Sequence, residues 1–62
     1  MEKPTKEETI TLIQKLKNNG YSLTDIGSQM GMTAQTVWAW SSDATSRTPS
    51  IADFQFMLGL LK

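Results

Sequence analysis

A chain of 62 residues with neither cysteine nor histidine can form no disulfide, offers no thiol nucleophile and lacks the usual zinc ligands, so no metal site or cofactor is expected. Six basic and six acidic residues cancel to a formal net charge of zero, which argues against a nonspecific nucleic-acid binder, whose affinity comes from many lysine and arginine contacts to phosphate. At this length the reading is one domain over residues 1–62, with an economical core, because so small a domain buries only about 60% of the surface its unfolded chain exposes.

The first helix is announced by Pro4 and by Thr5 with Glu8 at capping-box spacing, and Asn18-Asn19-Gly20 ends it with residues that tolerate left-handed backbone. At 100° per residue, Thr9, Ile10, Leu12, Ile13 and Leu16 fall within an arc of roughly 160°, leaving Glu7, Gln14, Lys15 and Asn18 outside it. A second helix, about Leu23 to Met30, opens on Ser22 with Asp25 three residues on and stops at Gly31. A third, about Ala34 to Ser41, follows at once from Thr33 as N-cap, with Val37 and Trp40 spaced to share one face. The polar run SDATSRT from Ser42 to Thr48 is a loop, and Pro49, then Ser50 with Asp53, begin a fourth helix that reaches about Leu61. Ile51, Phe54, Met57, Leu58 and Leu61 lie within roughly 120° and form its expected core stripe. Phe56 and Leu60 fall on another face beside Gly59. No β-alternation or repeat is visible, so the fold class expected is all-α, a small four-helix domain.

The two short helices hinged at Gly31 carry the functional reading, since this arrangement lets the second helix enter a DNA major groove. The run Ile26-Gly27-Ser28-Gln29-Met30-Gly31-Met32-Thr33-Ala34-Gln35-Thr36-Val37-Trp38-Ala39-Trp40 resembles the helix-turn-helix of phage Cro and repressor proteins and of Xre-type bacterial regulators. In that family the common form is leucine-alanine-x-x-leucine-glycine-valine-serine-x-glutamine-threonine-isoleucine-x-x-tryptophan. Pro49 to Leu58 is similar to the family's next helix, so the resemblance spans about two thirds of the chain. One departure is Gly27 in place of the family's alanine: glycine costs roughly 1 kcal/mol inside a helix but permits close approach of the two helices. The resemblance implies a lambda repressor-like fold and a transcriptional repressor of phage, prophage or plasmid genes that occupies a double-stranded operator.

Of the third helix's residues, Val37 and Trp40 share the core phase, whereas Ala34, Gln35, Trp38 and Ala39 project away from it. Gln35 offers an amide suited to a bidentate pair with adenine, and Ala34 and the Trp38 indole edge suit a thymine methyl. With Thr33 and Ala39 these make up the expected base contacts, and Ser22, Thr36 and Arg47 the expected backbone contacts. From Ser28 to Ser42 no residue is charged, so this face can approach DNA but draws it only weakly from a distance. The acidic residues read as helix-start and surface carboxylates with no nucleophile, base or metal partner, so no catalytic residue and no enzyme are expected.

Phe56, Gly59 and Leu60 suggest a homodimer interface, formed in full or only on DNA, and the competing cover for Phe56 is the Met1 to Pro4 segment. The alternative function is a protein-interaction module that keeps the helical scaffold and docks through Trp38 or Phe56 and Leu60. No small-molecule ligand is indicated. No apolar run approaches the roughly 20 residues of a membrane span, and the amino-terminal MEKPTKEE lacks the apolar stretch of a secretory signal, so a cytoplasmic protein without a membrane partner is expected.

Overall fold

The computed structural model describes residues 3–61 and has four helices and no strand among them: α1 (Lys6–Asn18), α2 (Leu23–Met30), α3 (Ala34–Ser41) and α4 (Ile51–Leu60). Each begins at a hydroxyl cap. The Thr5 hydroxyl accepts from the Glu8 amide at 3.1 Å while the Thr5 amide donates to the Glu8 carboxylate at 3.0 Å, and Ser22 and Asp25 exchange the same pair at 3.0 Å each. At α4 only the forward bond forms, from the Asp53 amide to the Ser50 hydroxyl at 3.2 Å. These bonds satisfy amides that a helix start leaves without intrahelical partners.

The first two helices stop in the same way. Gly20 (φ 98°) and Gly31 (φ 69°) take up left-handed backbone, and the following amide reaches back to the carbonyl five positions earlier: Tyr21 donates to the Leu16 carbonyl at 3.0 Å and Met32 to the Gly27 carbonyl at 2.7 Å. This reversal serves the last carbonyls of each helix and turns the chain sharply. After Gly31 only Met32 and Thr33 separate α2 from α3.

Gly27 fits closely under that turn. A Cβ there would lie 2.6 Å from the Met32 carbonyl oxygen and 3.2 Å from two backbone atoms of Thr33. The close approach expected at this glycine is therefore made by the backbone leading into α3, and the helix-propensity cost of glycine is accepted in exchange for that contact.

The core consists of Leu12, Ile13 and Leu16 from α1, Ile26 from α2, Val37 and Trp40 from α3, and Met57 from α4. Pro49 and Thr9 are also fully buried, and the Thr9 hydroxyl donates to the Thr5 carbonyl at 2.9 Å. Tyr21, Leu23, Met30, Met32, Phe54, Leu60 and Leu61 close around this cluster. Each fully buried aliphatic side chain contributes about 1.5 to 3 kcal/mol, so a few positions hold the fold.

Helix α4 departs from its expected orientation. Leu58, placed in the core stripe by its spacing, is 40% exposed, and Leu60, placed off it, packs on the core. Ile51, also expected inside, is half-buried and outside the core cluster. The helix is rotated so that Met57 points inward: Leu60 lies about 60° from it on one side, Phe54 about 60° on the other, and Leu58 about 100° away. Phe56 remains 45% exposed, as expected. Met1 and Glu2, half of the segment considered as its cover, lie outside the described residues.

The contact at Gly27 makes a paired prediction. Gly27→Ala gains roughly 1 kcal/mol of helix propensity but forces a methyl into backbone, and overpacking of that kind costs about 1 to 3 kcal/mol. The expected outcome in urea unfolding is a net loss at Gly27 and a gain of up to about 1 kcal/mol for Gly59→Ala, where a Cβ would meet nothing within 4 Å. Stabilisation by both substitutions to a similar extent would contradict the contact.

Candidate nucleic-acid interface

Helix α3 is divided lengthwise. Val37 is fully buried and Trp40 is 5% exposed, while Gln35 is exposed and Trp38 is 48% exposed on the opposite side. Ala34, Thr36 and Ala39 are half-buried along the edges. The indole of Trp38 is held on the outside because its neighbours in phase with the core, Val37 and Trp40, occupy the inside. The two indoles, two residues apart, thus face opposite ways, Trp38 to solvent and Trp40 to protein.

The helix start is shaped by its cap. The Thr33 hydroxyl accepts from the Thr36 amide at 3.3 Å and pairs with the Thr36 hydroxyl at 3.1 Å. The first intrahelical bonds at this end run from Thr36 and Val37 to the Thr33 carbonyl, so the amides of Ala34 and Gln35 precede them. No acidic residue lies in the first turn, which leaves the positive end of the helix dipole uncompensated by any neighbouring carboxylate on α3.

A groove of about 270 Å³ joins α3 to the loop that follows it, lined by Thr33, Gln35, Thr36, Trp38, Ala39, Thr45 and Arg47. It gathers four of the five residues expected at base edges and two of the three expected at phosphates. Ala34 is on the same short helix without lining the groove, and Ser22 stands apart at the start of α2. The Ser22 amide donates to Asp25 at 3.0 Å, and that bond, with the Ser22 hydroxyl, holds the Asp25 carboxyl below its ordinary range. A phosphate arriving at Ser22 would meet the Asp25 carboxylate that already accepts from its amide, which opposes the contact expected there. No carboxylate lines the groove, and its one charged side chain is that of Arg47.

The structure adds a residue that sequence reasoning passed over. The Lys6 ammonium, from the first turn of α1, donates to the carbonyls of Ala39 (2.7 Å), Trp40 (2.8 Å) and Arg47 (3.0 Å), with the Thr45 hydroxyl oxygen at 3.3 Å. The Thr45 hydroxyl in turn donates to the Ala39 carbonyl. Helix α3 has no basic residue in its last turn and no glycine after it, so a cation 33 and 34 residues earlier in the chain serves its terminal carbonyls. One signal was present: at 100° per residue Lys6 falls inside the apolar arc of α1, between Ile13 and Ile10, where a lysine needs acceptors for its head.

Outside the α3 groove, Phe56 and Leu58 are the exposed large apolar residues of α4. A second groove of about 300 Å³ runs between α1 and α4, with Leu12, Phe54, Leu58 and Leu61 among its lining and Glu7, Glu8 and Lys15 at its rim. Of the expected dimer residues, Phe56 and Gly59 are exposed and Leu60 is turned inward. The described residues hold no group of three carboxylate, histidine or cysteine side chains able to bind a metal, and no helix long and apolar enough to cross a membrane.

No family model, curated protein or solved structure matches this chain.

The division of α3 predicts distinct behaviour for its two tryptophans. In single-tryptophan variants of the free protein, Trp38 fluorescence should fall steeply with a soluble quencher and Trp40 should be shielded. Equal quenching of both would contradict the orientation of α3.

Proposed function

We propose that this protein is a sequence-specific, double-stranded DNA-binding regulator of the Cro and Xre kind, a repressor that occupies an operator with α3 in the major groove. The observation that carries this reading is a short α2-turn-α3 unit whose outward face is uncharged and continuous, along one groove, with a single arginine. An α-helix fits the major groove, and residues near its amino end meet base edges. In this reading Gln35 pairs with a base, most suitably adenine, Trp38 and Ala39 pack on a thymine methyl with Ala34 beside them, and Thr33 and Thr36 take a base edge or phosphate. Arg47 clamps phosphate at the flank. The repressor role rests on the resemblance, since occupying an operator hinders polymerase whatever bases are read.

The charge distribution sets how such a protein would bind. Lys6 is committed to backbone carbonyls, which removes one of six basic residues from contact with DNA. Specificity then has to come from fit at base edges, with only a small counterion contribution. Pairing of two copies would double each contact and place two recognition helices about one DNA turn, roughly 34 Å, apart. The support for pairing is the exposed Phe56 beside Gly59, a position with open space around it.

A second reading has its own observation: Leu58 and the α1–α4 groove form an apolar surface away from α3, which suits a protein-docking module. Selection from random duplexes separates the two. With a selected duplex, Gln35→Ala should lose roughly 1 to 3 kcal/mol of discrimination at one base pair, and Arg47→Ala should weaken all sequences about equally while flattening the salt dependence by about one unit of slope. Unchanged preference and affinity in Gln35→Ala would remove α3 as the reading element. Sedimentation of the complex should find two chains per operator, reduced to one by Phe56→Ser. One chain in both cases would exclude the α4 pairing.

A further inference from the structure

We infer that Lys6 is a positioning residue for the DNA-reading face, acting from α1 through the loop that carries Arg47; the inference rests on the function proposed above. Its ammonium has three hydrogens, and they meet carbonyls from two separate segments: Ala39 and Trp40 at the end of α3, and Arg47 five residues beyond that helix's cap at Ser42. A single charge thus ties the trailing end of the recognition helix to the backbone of the one cation in the groove.

The rest of the loop supplies little of that restraint. The Thr45 amide reaches the Ser42 carbonyl at 3.4 Å and the Ala44 amide reaches the Ser42 hydroxyl at 3.1 Å, both bonds local to the loop's beginning. Pro49 is buried at its far end. Between them the Thr45 hydroxyl donates to the Ala39 carbonyl, and the Arg47 carbonyl itself is held by the Lys6 ammonium. The Arg47 side chain itself is exposed and long, so its reach to a phosphate beside α3 depends on where its main chain is fixed. Fixing it beforehand lowers the ordering required on binding. Residues such as Ala39 and Thr45 belong both to the Lys6 cluster and to the groove lining, so the two are structurally continuous.

A lysine that only stabilised the fold and one that positions Arg47 differ in what they do to salt dependence. The test compares wild type, Lys6→Met, Arg47→Ala and the double variant on one selected duplex over a range of salt, with helical content checked for each. Lys6→Met keeps the apolar stem and removes the charge. The expected result is a folded Lys6→Met protein with the wild-type sequence preference, affinity lower by up to about eightfold at 0.1 M salt, and a salt slope shallower by up to about 0.9, the value of one phosphate contact. The double variant should be no weaker than Arg47→Ala alone, because the two residues act through one contact. Lys6→Arg should restore part of the slope. Should Lys6→Met prove unfolded, Lys6→Gln, which removes the charge but keeps a donor on a side chain outside the groove, should give a loss of the same kind.

Three results would overturn the inference. If Lys6→Met, or Lys6→Gln in its place, lowers thermal stability but leaves affinity and slope at wild-type values while Arg47→Ala changes both, DNA binding stands and the positioning role fails. Additive losses in the double variant would mean independent action and also defeat it. If wild type selects no duplex sequence at all, the DNA-binding reading falls and takes this inference with it.

Discussion

The space beside Gly27 is the constraint on which the arrangement of this domain depends. Backbone atoms of Met32 and Thr33 fill the volume that any side chain would need, and the Met32 amide closes on the Gly27 carbonyl at 2.7 Å. With Gly31 in left-handed conformation, the chain leaves α2 in one direction only and Thr33 starts α3 immediately. That start fixes the phase of α3, so Val37 and Trp40 meet the core and Gln35 and Trp38 meet solvent. The cost, roughly 1 kcal/mol of helix propensity at one position, is small beside the 1.5 to 3 kcal/mol that each core side chain contributes when it is correctly aimed.

The same economy governs charge. Helix α3 brings no cation of its own to its carboxyl end and no carboxylate to its amino end. Lys6 supplies the first from another helix, and the absence of the second leaves the amino end open to an anion or a polar edge. A domain with a net charge of zero thereby presents a locally acid-free face. The combination suits recognition by shape and hydrogen bonding at short range and supplies little long-range steering.

The parts of this structure governed by near neighbours were legible in the sequence. Helix limits followed from the Thr5, Ser22, Thr33 and Ser50 caps and from Gly20 and Gly31, all interactions within six residues. The separation of Trp38 from Trp40 followed from helical geometry alone. The parts decided by tertiary packing were not. In α4 nearly every position is apolar, so periodicity scarcely distinguishes one face from another, and the placement of Met57 in the core decided that Leu60 and not Leu58 turns inward. The role of Lys6 depends on partners at 33 and 34 residues' separation, which no local pattern encodes. Ser22 was legible as a cap, yet the carboxylate that completes the cap works against its expected phosphate contact.

The central claim is that the outward face of α3 reads duplex DNA. Nuclear magnetic resonance titration of the protein with its selected duplex tests it most directly, because every backbone amide and both indole N–H groups report at once. The account predicts changes concentrated at Thr33 to Ala39, the Trp38 indole and Arg47, with the Trp40 indole and the Leu58 side of the α1–α4 groove little affected. Changes centred on that groove, with Gln35 and the Trp38 indole unmoved, would contradict it.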